Sequence, residues 1–242
     1  MSPDVVASFA IWFLVFLFSL TAHEAAHAAA AYLGGDDTAY RGGQVSLNPV
    51  PHIMREPFGT ILVPVFTFFT AGWMMGWAST PYDPEWGRRC PRRQAVMSLA
   101  GPAANLLIAL VAFGILRLLL AQGLFQAPDH IDLGKGLGHL VEPASGNASG
   151  PLAFAGTLLS VALNLNVLLG LFNLLPIPPL DGAGVVEGLF PDTAGRALMM
   201  LRANPMLSLL SLLAAWKLFG WLATPALGGV LELVHPAIYR SL

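Results

Sequence analysis

The feature that most constrains this chain is a set of five long apolar stretches spaced along almost its whole length. A helix needs about 20 apolar residues to cross the hydrocarbon core of a bilayer. Only 11% of the residues are charged, against about a quarter in an ordinary soluble domain. We therefore expect an all-α, polytopic membrane protein that is surrounded mainly by the lipid bilayer. The stretches cover residues 5–33, 60–78, 95–121, 152–175 and 206–223.

The first stretch contains three ionisable residues in the sequence His23-Glu24-Ala25-Ala26-His27. Residues four apart share one face of a helix, so both imidazoles can bind a single metal ion. Glu24 is then placed to act as the general base, as in zinc metalloproteases. Ionisable side chains inside a membrane helix are costly and usually functional. The motif predicts a zinc-dependent hydrolase that binds one Zn²⁺ ion about 15 Å below the end of the helix at Leu33.

A catalytic zinc ion takes three protein ligands and leaves one position open. Asp181 is the preferred third ligand, because it follows the fourth apolar stretch on the same side of the membrane as the histidines. Prolines before it hold the chain extended. The alternative that Asp181 caps the following helix stays open. The other candidates are His52, His130, His139, His235, Glu56 and Glu187.

The distribution of basic residues favours four full crossings and one re-entrant segment. Pro64, Gly72 and Gly76 interrupt residues 60–78. If that segment enters and leaves on one side, eight of the twelve Lys and Arg residues lie in the cytoplasm, as the positive-inside rule requires. A short hairpin is predicted around Gln44–Leu47 and an interfacial piece at 225–238. The first stretch is interpreted as a retained helix rather than a signal peptide, because it runs directly into the histidine motif.

These motifs resemble the site-2 protease family of intramembrane zinc metalloproteases, peptidase M50-like, in the compact form without a PDZ domain. The resemblance spans most of residues 8–190. It maps the metal ligands of the family onto His23, His27 and Asp181 and its catalytic glutamate onto Glu24. The sequence from Gly101 to Asn105 resembles the Gly-Pro-x-x-Asn element of the family, and residues 43–60 resemble its membrane-dipping segment. The chain departs from compact members at residues 54–57, which read Met-Arg-Glu-Pro where those members commonly have Asp-Pro after the His-Ile pair.

The resemblance implies a helical bundle with a three-helix catalytic core, a short re-entrant or β-hairpin segment and flanking helices. Residues 1–242 would form one membrane-embedded metalloprotease domain, with the core at about 5–190 and an accessory helix and tail at 191–242. The substrates would be transmembrane proteins. Asn173 and Asn105 are expected to position the substrate or its oxyanion, although helix-to-helix contact is an equal alternative for Asn105.

Partners and location follow from charge and topology. Net charge is −2 and the basic residues form one short tract, so nucleic acid is not expected as a partner. A homo-oligomer is an open alternative. The expected location is a bacterial or archaeal cell membrane, with multiple crossings and the active site toward the cytoplasm.

Two other classes of function compete with the protease. A membrane metal-binding or transport protein could use the same ligands without hydrolysis, but transport usually needs polar residues along a path, and the other apolar stretches hold few. An inactive scaffold would have no use for Glu24.

Overall fold

The computed structural model describes residues 2–128, 137–144 and 150–236. In chain order its elements are α1 (Pro3–Leu33), α2 (Thr38–Arg41), α3 (Pro49–Arg55), a π-helical turn (Phe58–Leu62), α4 (Val63–Ala71), α5 (Pro84–Arg89), α6 (Pro91–Ala121), β1 (Phe125–Gln126), β2 (Glu142–Pro143), α7 (Gly150–Asn173), α8 (Asp181–Leu189), α9 (Ala194–Ala203) and α10 (Pro205–Val234).

Four of the described helices are long and apolar enough to cross a membrane: α1, α6, α7 and α10, with 31, 31, 24 and 30 residues. Even α7, the shortest of them, is about 36 Å long at 1.5 Å per residue. That exceeds the roughly 30 Å of the hydrocarbon core. The prediction of an all-α polytopic membrane protein is confirmed.

The C-terminal helix α10 joins the apolar stretch at 206–223 to the following piece, which begins at Pro225. Pro225 lies inside this helix rather than ending it. The interpretation of residues 225–238 as interfacial is therefore wrong over 225–234, and residues 237 and 238 lie outside the described residues. Proline is tolerated inside membrane helices because neighbouring groups can satisfy the carbonyl that it leaves without a donor.

The second apolar stretch enters the bundle and returns to the level at which it began. Helix α4 ends at its C-cap residue Gly72, whose φ of 78° is left-handed. Residues 73–83 form neither helix nor strand. The Trp77 N–H donates a hydrogen bond to the Gly59 carbonyl at 3.2 Å. Because the end of the segment pairs with its start, the path agrees with the expected re-entrant segment.

The hairpin expected around Gln44–Leu47 is not formed: Gln44 has no regular structure and residues 45–47 form a bend. Asn48 accepts a hydrogen bond from the Val50 N–H and caps α3. The helix therefore begins directly after the alternating residues, which leaves no room for a strand. The described sheet lies instead between α6 and α7, where β1 and β2 pair antiparallel.

The bundle is organised around α1, α6 and α7, which pack against one another, with α8 packed on α6. Phe16 of α1, Leu116 of α6 and Leu165 of α7 are fully buried. Helix α10 covers α7 on the outside through Ala215 and Phe219. This arrangement agrees with a three-helix core and an accessory helix.

Candidate active site

Helix α1 presents both histidines of the motif from one buried face. Their Nε2 atoms lie 3.0 Å apart. Asp181, the first residue of α8, places Oδ2 at 3.0 Å from His23 Nε2 and Oδ1 at 3.3 Å from His27 Nε2. The structure thus brings together the three residues predicted as metal ligands.

Hydrogen bonds behind the histidines fix which ring nitrogen faces Asp181. The Nδ1 atom of His27 donates to the Met97 carbonyl at 2.7 Å. The Nδ1 atom of His23 donates to Asn105 Oδ1 at 2.6 Å. The Asn105 amide is oriented this way because its Nδ2 donates to Asn166 Oδ1 at 2.8 Å. With the protons on Nδ1, each neutral imidazole offers its Nε2 lone pair to the same point.

The resulting cluster of acceptors fits a cation. Two imidazole lone pairs 3.0 Å apart, facing a carboxylate, repel one another unless a positive charge lies among them. Asp181 Oδ2 is buried without a hydrogen-bond partner within the described residues. Two imidazoles and one carboxylate form a three-ligand set typical of catalytic zinc. The donor set therefore fits Zn²⁺, held by His23, His27 and Asp181.

Gly101 of α6 leaves the space that the two histidine rings occupy. A Cβ atom at this position would lie 2.6 Å from His23 Nε2 and would overlap His27 Nε2. Only glycine lets α6 pass this close to the ligands. The Gly-Pro-x-x-Asn element therefore contributes in two ways. Its glycine leaves space for the imidazole rings, and its Asn105 accepts a hydrogen bond from His23.

Asp181 does not occupy the capping position of α8. Leu180 is the N-cap residue, and its side chain makes no capping hydrogen bond. Gly182 packs on the turn before it, because a Cβ at this position would overlap the Leu174 carbonyl. The glycine after Asp181 therefore admits the backbone of the preceding turn.

Glu24 lies beside the metal-ligand group and lines the same cavity, which has a volume of about 180 Å³. It is 4% exposed, and its Oε2 atom accepts a hydrogen bond from the Thr80 hydroxyl at 2.7 Å. A carboxylate in this position can act on a water molecule in the cavity. The other residues lining the cavity are His27, Ala78, Ser79, Tyr82, Gln94, Met97, Ser98, Pro179, Asp181, Gly184 and Arg202.

Arg202 of α9 supplies the positive charge at this cavity. Its Nε donates to Glu187 Oε1 at 3.1 Å. Burial raises the pKa of Glu187, and the neighbouring guanidinium opposes that rise. Glu187 is thus paired with Arg202 and is not part of the metal-ligand group.

The alternative histidine ligands lie elsewhere or outside the described residues. His52 is 2% exposed, and its Nε2 atom donates to a backbone carbonyl in the preceding turn. His139 lines a separate cavity between α1, α7 and α10. His235 bonds a backbone carbonyl beside β2, and His130 lies outside the described residues.

The two asparagines predicted to position substrate do not line the catalytic cavity. Asn105 is fully buried behind His23. Asn173 ends α7 and donates to the Leu169 carbonyl of its own helix at 3.0 Å. Substrate positioning stays a prediction for Asn173, whereas the contacts of Asn105 favour orientation of His23 and contact between helices.

Thr80 and Met97 contact the candidate catalytic residues, but no sequence motif marks either position. Thr80 lies 56 positions from Glu24, and Met97 lies 70 positions from His27. Met97 acts through its backbone carbonyl, so its residue type gives no signal. A polar pair at Ser79-Thr80, next to the apolar re-entrant stretch, was the only local sign of Thr80.

Comparison with known proteins gives a consistent result. The model of peptidase family M50 matches residues 11–215. YwhC of Bacillus subtilis is 36% identical over 179 residues, which are 74% of this chain and 68% of YwhC. Rip2 of Mycolicibacterium smegmatis is 30% identical over 205 residues, which are 85% of this chain and 67% of Rip2. The names of both relatives assign them provisionally to the zinc metalloproteases. No solved structure matches the chain.

Proposed function

This chain belongs to peptidase family M50, a family of zinc metalloproteases, and we propose that it hydrolyses peptide bonds within or beside the membrane-spanning segments of other proteins. The chain is an integral membrane protein, and four helices in the described residues are long and apolar enough to span the bilayer. Its substrates would be transmembrane proteins that reach the site through the bilayer.

One observation carries this proposal: two of the three predicted metal ligands lie inside a spanning helix rather than on a loop. His23 and His27 belong to α1, which continues to Leu33, so about 15 Å of helix separates His23 from the helix end. A site at that depth is accessible to a peptide bond in or near a membrane segment. A soluble substrate would have to enter the bundle to reach it.

The side chains of the cavity have separate roles in hydrolysis. Bound zinc supplies Lewis acidity, which activates water and polarises a carbonyl group. His23, His27 and Asp181 would hold the ion, and Asn105 and the Met97 carbonyl keep the imidazoles in the required orientation. Glu24 would accept a proton from the attacking water and return it to the leaving amine.

The substrate must also present an extended backbone, because helical hydrogen bonds cover its carbonyl groups. Residues 78–80 run along the cavity without regular structure. The backbone groups of Ala78 and Thr80 form no hydrogen bond within the described residues. This segment can therefore offer a strand-like edge to an unwound substrate.

The orientation proposed from the basic residues puts this site on the cytoplasmic side of a bacterial or archaeal cell membrane. Arg88 and Arg89 of α5, together with Arg93, lie near the end of α1 that follows the histidines, where Arg93 donates to the Gly34 carbonyl at 2.9 Å. Positive residues favour the cytoplasmic side.

A metal-binding or transport protein is the second class of function to distinguish. Both classes would bind zinc through the same residues, but only the protease requires Glu24. The buried amides of Asn105 and Asn166 bond each other rather than lining a path, which favours the protease.

The test compares wild-type protein with Glu24→Gln in proteoliposomes that contain a model transmembrane substrate. We expect the variant to keep near-stoichiometric zinc by elemental analysis and to lose cleavage, because the ligands remain and the base does not. Glu232→Gln, which changes an exposed carboxylate on α10, is the matched control and should cleave normally. Cleavage by Glu24→Gln at the wild-type rate would exclude the proposed mechanism. Comparing membrane proteomes of cells that carry either form would then identify natural substrates.

A further inference from the structure

The hydroxyl of Thr80 is placed to control the orientation of Glu24. Thr80 Oγ1 lies 2.7 Å from Glu24 Oε2 and 3.0 Å from the Glu24 carbonyl oxygen. A hydroxyl carries a single proton, so it donates to one of these acceptors at a time. The shorter contact and the charge of a carboxylate favour Oε2.

This hydrogen bond leaves one carboxylate oxygen available for the reaction. Oε1 of Glu24 forms no hydrogen bond within the described residues, while Oε2 is held by Thr80. A glutamate side chain has three rotatable bonds, and fixing one oxygen restricts where the other can point. A base must lie within hydrogen-bond reach of the proton that it takes.

Thr80 is itself held through the residue before it. The Ser79 hydroxyl donates to Glu56 Oε1 at 2.8 Å and accepts from Arg55 Nε at 3.1 Å. The Gln44 side-chain amide donates to the Ser79 carbonyl at 3.3 Å. The segment from Gln44 to Glu56 therefore anchors Ser79, and the next residue reaches the base.

We propose that Thr80 is a positioning residue for the catalytic base, and that the contacts of Ser79 with the segment from Gln44 to Glu56 place it. Thr80 acts through Glu24 and touches no reacting atom. This inference rests on the proposed function, because the orientation of Glu24 matters only if Glu24 transfers a proton during hydrolysis. It also gives a role to the segment in which the chain departs from compact members of the family.

The test replaces Thr80 with valine, which has the same shape without the hydroxyl, and with serine, which keeps the hydroxyl. We expect Thr80→Val to lower kcat roughly 10- to 100-fold, the effect of losing a hydrogen bond to a charged group. KM for a model transmembrane substrate should stay within about twofold. Zinc content should equal that of the wild type, and Thr80→Ser should restore most of kcat.

Thr70→Val is the matched control, because it removes an exposed hydroxyl from the same re-entrant segment. It should leave kcat and KM unchanged. The inference is overturned if Thr80→Val has wild-type kcat while Glu24→Gln is inactive, or if valine and serine impair kcat equally. Loss of zinc from Thr80→Val would also overturn it, since the residue would then support the ligands and not the base. An active Glu24→Gln protein would instead contradict the proposed function itself.

Discussion

The replacement of Gly101 by alanine tests the geometry of the metal site directly. The added Cβ would lie 2.6 Å from His23 Nε2, whereas ordinary contacts begin at 3.4 Å. The shortfall is 0.8 Å at His23 and larger at His27, whose Nε2 atom the new methyl group would overlap. Neither ring can move back freely, because Asn105 and the Met97 carbonyl hold the far sides of the rings.

A displacement of this size is large for a zinc ligand. Ligand distances at zinc sites hold to within about 0.2 Å, so a shift of 0.8 Å at one imidazole removes it from bonding distance. Loss of a partner behind a ligand already lowers metal affinity about 10- to 100-fold. Displacing the ligands themselves should cost more, and we expect Gly101→Ala to lose at least about 100-fold in zinc affinity.

The assay measures zinc per protein after dialysis against a chelator, together with cleavage of a transmembrane substrate and thermal unfolding in detergent. Gly114→Ala is the matched control in the same helix, because a Cβ there meets nothing within 4 Å. It should keep zinc and activity. Its helix should be unchanged or stabilised by about 0.5–1 kcal/mol, the usual difference between glycine and alanine inside a helix.

The reasoning is refuted if folded Gly101→Ala retains full zinc and wild-type activity while behaving like Gly114→Ala. That result would mean that α6 does not pass as close to the histidines as the structure shows.

Three further predictions concern the ligands, the residues behind them and the topology. After dialysis, Asp181→Ala should retain the least zinc and Asp181→Asn only a little, because neutral amides are poor zinc ligands, whereas Asp181→His should retain some. Full zinc content in a folded Asp181→Ala protein would remove Asp181 from the site. Asn105→Leu should lower zinc affinity about 10- to 100-fold in a chelator competition, whereas Asn173→Leu should not, and equal affinities would exclude an orienting role for Asn105. A cysteine at Arg88 in a Cys90→Ser background should react with an impermeant maleimide only in inverted vesicles, and labelling on intact cells would contradict the re-entrant topology.

The sequence was sufficient for the features that depend on local periodicity and length. Two histidines four residues apart face the same way on any helix, so the pairing of His23 with His27 needed no tertiary information. Apolar length likewise predicted the spanning helices. The same reasoning fails at residues 225–234, because α10 continues through Pro225 rather than ending before it. It also failed at residues 44–47, where alternation suggested strands that the cap of α3 prevents.

Everything else at the site depends on which helices meet. The topology favoured Asp181 as the third ligand but left a capping role open, since the approach of Asp181 to α1 depends on how α8 packs against α6. The Thr80 contact with Glu24 and the gap at Gly101 join positions more than 50 residues apart, and no periodicity links such positions. The sequence by itself therefore determined that the helices span a membrane and which face of α1 binds metal, because apolar length fixes the first and helical periodicity fixes the second. The tertiary structure decided the third ligand's position, the partners behind the histidines and the group that holds the base, because these depend on the packing of distant segments.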